Sequence, residues 1–365
     1  MQKLTMRRLQ GVDGIRALAA LSVLLYHTWL DIPSRPTHGL GGGAVDALIS
    51  HLWLGLSTFF VLSGFLLYRP FVTAALENAA RPSLRRYYRS RLLRIVPAYW
   101  FALTIILFVR YRDALAGSPW KWLDSYLFIQ IYRPKQSLTI IGPAWTLCIE
   151  MSFYAALPFI AYLAGRVART SRITHLLALT PLLAVGVGYQ ALGFPLALPG
   201  FIGQFALGMM LAVLTVKRDC LSATLWRALA ALGACSGVAA LTVANADGVR
   251  DNGGNPAFML LAATALACGI GLALSSGRAR KVLTIGPLVQ LGVISYGVYL
   301  WHEPLIQTFA PLFPHLTFGV FLAAGGLFLC LAVSLASVSW VLVERRALRL
   351  KAQPRLPLDP AVAPA

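Results

Sequence analysis

The sequence predicts an all-α polytopic membrane protein of about ten transmembrane helices, with N- and C-termini cytoplasmic. Three observations carry this expectation. Of 365 residues, 58% are hydrophobic and only 12% are charged, whereas ordinary soluble domains carry roughly a quarter charged residues. Apolar runs of the roughly 20 residues needed to cross a bilayer recur along the chain. The Lys and Arg residues between those runs fall mainly on alternate connecting segments, as the positive-inside rule requires.

The runs lie at about 12–30, 52–76, 95–111, 144–165, 174–192, 199–216, 225–245, 256–276, 288–311 and 318–343. With the N-terminus inside, the cytoplasmic segments hold Lys3, Arg7 and Arg8, then the arginines from Arg81 to Arg94, Arg166, Arg169 and Arg172, Lys217, Arg218 and Arg227, Arg278, Arg280 and Lys281, and the basic run from Arg345 to Arg355. The outer segments hold only Arg35, Arg110, Arg112, Lys121, Arg133, Lys135 and Arg250. A net charge of +19 is thus accounted for by one membrane face and the lipid bilayer, and no nucleic acid partner is expected. The five Cys show no CxxC or Cys/His spacing. They read as small buried hydrophobes, with no metal site.

The first run, "GIRALAALSVLLYH", carries Arg16 and His27 and lacks a clear small-residue cleavage site. It reads as a retained helix rather than a signal peptide. A spacing of eleven residues is almost three helical turns, so both side chains face one way, roughly 16 Å apart along the axis. Asp13 precedes Arg16 by three residues and can pair with it. The plainer readings make Arg16 a snorkelling residue and His27 an interfacial one. In the second run, "FFVLSGFLLYR", Ser63-Gly64 permits close helix approach, and Arg69 lies at a depth comparable with that of Arg16.

The third run opens with "RRYYRSRLLRIVPAYW". Arginine forks bind phosphate, and lipid headgroups or a phosphorylated nucleotide both suit them. The following outer loop, 112–143, contains "WKWLDSYLFIQIY", too short and polar to span, and a re-entrant or interfacial segment is expected there. The fourth run places Glu150 near the expected depth of His27, where a buried carboxylate needs a partner or a task. It could orient a histidine. In the ninth run, "ISYGVYLWHEPL" puts His302 and Glu303 in the outer half, with Pro304 expected to bend the helix. Residues 1–350 form one membrane domain, and the Pro/Ala-rich 351–365 is expected to be a disordered cytoplasmic tail.

By predicted depth, these residues sort into an inner cationic zone (Arg16, Arg69 and the arginines from 85 to 94) and an outer zone suited to proton transfer (His27, Glu150 and His302). The five quoted stretches, with "AWTLCIEMSFYAALP" around Glu150, together resemble acyltransferase family 3. These are bacterial inner-membrane O-acyltransferases that modify surface glycans, lipids and some small natural products. The resemblance implies acyl-coenzyme A, acetyl-coenzyme A foremost, as donor, His27 as the catalytic residue, Arg16 as donor-binding, and a coenzyme-holding role for the arginine-rich start of the third helix. Two departures stand out: Met151 replaces a second Glu found in many relatives, and Glu303 replaces a Trp. Some relatives also carry a C-terminal SGNH-type domain. This sequence shows none, so a relay between two enzyme units of one polypeptide is not expected.

The resulting expectation is a bacterial cytoplasmic (inner) membrane O-acyltransferase. Arg69, Arg85, Arg86, Arg89 and Arg94 would hold the donor's phosphates, with Arg16 deeper. His27 would deprotonate an acceptor hydroxyl, with Glu150 or His302 setting its tautomer. A covalent acyl-enzyme on Ser63 or Cys148 is a weaker variant, since neither has an evident adjacent base. The acceptor is a carbohydrate, a glycolipid or a small glycoside, and the sequence leaves oligomeric state open. A proton-coupled secondary transporter would also use intramembrane Arg, His and Glu, but it predicts inverted repeats and matched broken helices that the sequence does not show. A structural partner in an envelope assembly would leave His27 without a task.

Overall fold

The computed structural model describes residues 9–32, 40, 44–113, 120–133, 140–168, 171–216, 222–246, 255–313 and 315–350. Regular structure among them is wholly helical. The helices are α1 (Val12–Asp31), α2 (Ala44–Ser50), α3 (Gly55–Leu76), α4 (Leu84–Arg110), α5 (Trp120–Tyr126), α6 (Trp145–Ala168), α7 (Arg172–Ala191), α8 (Leu198–Thr215), α9 (Ala223–Ala246), α10 (Pro256–Ser275), α11 (Gly277–Leu283), α12 (Gly286–Val293), α13 (Ser295–Phe309), α14 (Phe318–Ser339) and α15 (Arg345–Leu350). The tail expected from residue 351 lies outside the described residues.

Eight helical stretches among the described residues are long and apolar enough to cross a membrane, and the chain is an all-α multi-pass membrane protein. The two remaining predicted spans, 12–30 and 288–311, are helical as well, but they differ from the rest in physical character. The first dilutes its apolar run with Asp13, Arg16 and His27. The second is interrupted at Ile294, which separates α12 from α13. This break lies ten residues before Pro304, where a bend was expected and which sits inside a continuous α13. Thr308 Oγ1, one turn on, donates to the Pro304 carbonyl at 2.7 Å. These two polar helices are buried by the others: α1 packs against α3, α12, α13 and α14.

Local chemistry sets several ends. Asn255 caps α10, its Oδ1 accepting from the backbone N–H groups of Ala257 and Phe258 at 3.0 and 3.1 Å, which satisfies donors that a helix start leaves unpaired. α4 begins at Leu84 rather than near 95, so the arginine run is itself helical and continuous with the span. α3 and α8 touch backbone to backbone: any side chain on Gly64 would strike the Phe205 carbonyl, and one on Gly208 would strike the Val61 carbonyl. Small residues let membrane helices approach this closely. α9 contacts mainly α10 and is largely exposed along its apolar length, the pattern of a lipid-facing helix.

The outer connection folds back into the bundle. Residues 120–133 form α5 and a 3₁₀ turn at Gln130–Tyr132. Trp100 Nε1 in α4 donates to the Tyr126 carbonyl at 2.9 Å, Tyr99 packs on Phe128 with ring centroids 4.5 Å apart, and Tyr132 OH meets Ser152 Oγ of α6 at 2.8 Å. Buried Asp124 pairs with Arg133 at 2.9 Å. Tyr99 and Ser152 lie within their helices, so this segment is re-entrant. Non-helical backbone is tolerated at such depth because protein surrounds it.

Candidate functional site

α1 builds the site's long axis. Arg16 and His27 remain partly accessible while Ile15, Ala17, Val23, Leu24 and Thr28 are buried. The common face expected from the spacing of eleven thus opens to an interior space.

Toward the C-terminal end of α1, His27 meets His302. His302 Nδ1 lies 2.7 Å from the Tyr299 carbonyl, and its Nε2 lies 3.3 Å from His27 Nδ1. His27 Nδ1 also lies 2.9 Å from the Val23 carbonyl. Carbonyls only accept, so each Nδ1 must carry the proton. With that assignment His302 Nε2 is an acceptor, and it shares the His27 Nδ1–H with the Val23 carbonyl. The lone pair of His27 is left on Nε2. Two backbone carbonyls therefore fix both tautomers, and no carboxylate takes part.

Below this pair, Tyr299 OH donates to the Pro143 carbonyl at 3.0 Å and contacts Thr146 Oγ1 at 2.8 Å. α6 thus reaches the histidine level through Thr146. Glu150 is one helical turn further along, about 6 Å away. It does not orient His27. Its Oε1 accepts from Ser63 Oγ and its Oε2 from Tyr154 OH, both at 3.0 Å, and it lies within electrostatic reach of Arg16 and Arg94. Ser63 and Cys148 have no histidine beside them: Ser63 serves Glu150, and Cys148 Sγ donates to the Ala144 carbonyl.

Toward the N-terminal end of α1 gather Arg16, Arg91 and Arg94, each within electrostatic reach of the others, with Glu150, Tyr154, Asp13 and Glu344 at the edge of the group. None of the three guanidiniums has an ion-pair partner within 4 Å among the described residues; Arg91 Nε donates to Ser90 Oγ at 3.3 Å. Helical periodicity explains which arginines gather. Tyr87, Ser90, Arg91, Arg94, Ile95 and Ala98 form the inward face of α4, spaced by three and four residues, and Arg85, Arg86 and Arg89 fall on the exposed face. Arg89 Nη2 donates to the Leu350 carbonyl at 3.0 Å. Arg69 stands apart from them, lining a pocket with Phe65, Leu211, Thr215, Gly271 and Leu274.

Three residues that the sequence reading did not assign belong to this column, and Arg91, which it placed in the inner cationic zone but left out of the set named for the donor's phosphates, joins them. Arg91 and Tyr154 follow from spacing, three residues before Arg94 and four after Glu150. Tyr299 carried no charge to flag it. Glu344 was hidden because it ends a π-helical turn, Trp340–Glu344, between α14 and α15. One extra residue in that turn shifts the register and buries its carboxylate, which accepts from Ser339 Oγ at 3.4 Å. Such turns cluster at functional sites. Glu303 is buried beside His302, accepting from Gly142 N–H at 3.3 Å and from Gln307 Nε2. Among the described residues, no cluster of three or more His, Cys, Asp or Glu could hold a metal ion.

Comparison with known proteins identifies the family. The family described as "Acyltransferase domain" matches residues 9–338, nearly the whole chain. The O-acetyltransferase OatA of Staphylococcus aureus is 25% identical over 333 residues, covering 82% of this chain and 51% of that protein. YrhL of Bacillus subtilis, provisionally named a peptidoglycan O-acetyltransferase, is 27% identical over 341 residues, covering 84% and 50%. BcsY of Komagataeibacter xylinus, provisionally named a membrane-bound transacylase, is 27% identical over 376 residues, covering 93% and 83%. The chain thus spans about half the length of the first two relatives. No solved structure matches it significantly.

Proposed function

The chain belongs to acyltransferase family 3, and from that premise we propose that it transfers an acyl group, acetyl foremost, from acyl-coenzyme A to a hydroxyl of a glycan or lipid-linked sugar at the bacterial inner membrane. The observation that carries this reading is the division of the polar column. A histidine with a fixed tautomer and an available Nε2 stands at one end. Three guanidiniums without ion pairs among the described residues stand about three helical turns away.

The chemistry follows from the groups. Phosphates of the donor suit Arg16, Arg91 and Arg94, because charge-assisted guanidinium–phosphate bonds satisfy cations that burial would otherwise leave costly. Glu150 and Glu344 border the set and hold the arginines in place without neutralising them. His27 Nε2 takes the proton of the acceptor hydroxyl as its oxygen attacks the thioester carbonyl. The carbon–sulfur bond breaks, and the thiolate leaves with the proton that the imidazolium returns. His302 and the Val23 carbonyl both accept from Nδ1–H, so they stabilise the imidazolium as it forms. His302 is a positioning residue in this scheme, and Glu150 belongs to the donor end. OatA and YrhL, by their names, O-acetylate, and YrhL's names peptidoglycan, which supports a glycan acceptor here.

The test uses the full chain in lipid nanodiscs with radiolabelled acetyl-coenzyme A and a carbohydrate-containing membrane extract. Label is expected in carbohydrate, and His27→Ala is expected to abolish it while coenzyme binding persists. Normal turnover by His27→Ala, or substrate transport without acyl transfer, would overturn the reading.

A further inference from the structure

Beyond His27, away from Arg16, the column does not end in apolar surface. Asp31 closes α1 four residues after His27, one turn further along and about 6 Å away on nearly the same face. One of its carboxylate oxygens, Oδ2, is buried and has no hydrogen-bond partner. Glu303 lies within electrostatic reach of both Asp31 and Arg110. It is 4% exposed, with one oxygen on the Gly142 N–H and the other on Gln307 Nε2. Arg110 is fixed nearby by a 3.5 Å bond from Nη1 to the Pro304 carbonyl. A shielded carboxylate oxygen with nothing to accept is costly to leave so, and this one belongs to a residue one helical turn from His27.

We propose that Asp31, supported by Glu303 and Arg110, is the acceptor-positioning site, and that it selects a neutral, polyhydroxylated sugar ring. The inference rests on the proposed acyl transfer and names its acceptor class. A carboxylate accepts from hydroxyl donors in short, charge-assisted bonds. With His27 Nε2 and Asp31 one turn apart, two hydroxyls of a single ring can be engaged together: one loses its proton to His27, and the other donates to Asp31 Oδ2. Among the described residues, two carboxylates against one guanidinium leave an excess of negative charge. That repels an acceptor ring bearing phosphate, sulfate or carboxylate, and an alkyl chain would leave the carboxylates unsatisfied. Arg110 supplies a cation that keeps two neighbouring carboxylates tolerable.

The experiment uses the same nanodisc protein, radiolabelled acetyl-coenzyme A and membrane carbohydrate extract, with Asp31→Asn, Asp31→Glu and Glu303→Gln. Coenzyme binding is measured on each preparation, so a variant that fails to fold is recognised by its loss. Asp31→Asn is expected to raise the half-saturating extract concentration by about tenfold or more, with coenzyme affinity unchanged. Asp31→Glu recovers part of the loss, and Glu303→Gln gives a smaller rise. Mass spectrometry of the product places the label on a ring free of acidic groups. Unchanged extract dependence in Asp31→Asn, or label on a phosphorylated or uronic ring, would overturn this inference while leaving acyl transfer standing. Wild-type protein that binds coenzyme yet labels no carbohydrate would overturn both.

Discussion

The two ends of the polar column handle burial in opposite ways. At the histidine end the proton positions are fixed by structure: the Tyr299 and Val23 carbonyls assign each Nδ1–H, and His302 Nε2 receives what His27 shares. At the arginine end three guanidiniums gather with no ion pair among the described residues, and one carboxylate within their reach, Glu150, spends its oxygens on Ser63 and Tyr154. On the proposed reading, satisfaction and function are separated. The group that moves a proton is held in one tautomer, whereas the groups that receive a charged donor are left with bonding capacity to spare.

Substitutions that break one end and spare the other should show this difference. The largest effect is expected for His27→Ala, a fall of about 10²–10⁴-fold in transfer rate, as for loss of a general base, with donor KM little changed. Arg94→Ala or Arg16→Ala is expected to raise donor KM by about 10–100-fold, the worth of a hydrogen bond to a charged group. Lys at either position restores charge but not the planar fork, and recovers only part. Direct titration of the coenzyme separates this from a change in turnover. His302→Phe removes the acceptor for His27 Nδ1–H and should lower kcat about five- to tenfold without moving donor KM; a KM effect instead would assign His302 to binding. The smallest effect is expected for Arg85→Ala and Arg86→Ala on the exposed face of α4. A few-fold loss of donor affinity at low salt should vanish at high salt, as screening dictates.

Much of this was legible before folding. The apolar runs located nearly every span, and the interval between Arg16 and His27 gave the shared face. Helical periodicity would also have divided the arginines of α4, had the helix been started at Leu84 instead of near 95. What stayed hidden needed tertiary contacts or exact helix starts. Glu150 was set near His27 by counting from helix ends, whereas the contact that marks the histidine level on α6 is Thr146, one turn earlier. The sequence reading looked for a bend at Pro304 and gave no break at Ile294, between Gly292 and Ser295. There Gly292 lies against the Asp13 carbonyl so closely that no side chain would fit. Glu344 was invisible because a π turn changes the register that spacing arguments assume.

The packing of α1 against α12, α13 and α14 also bears on how the protein is made. A helix carrying Arg16 and His27 gains little from lipid, since a charged residue at mid-bilayer costs about 2.5–3.5 kcal/mol on insertion scales. Its His27 finds its partner, His302, on a helix synthesised 275 residues later. Until then that end of α1 waits, sheltered by water, lipid headgroups or the insertion machinery. The histidine pair therefore assembles late, and a chain stopped before α13 holds neither a finished bundle nor the His27–His302 contact.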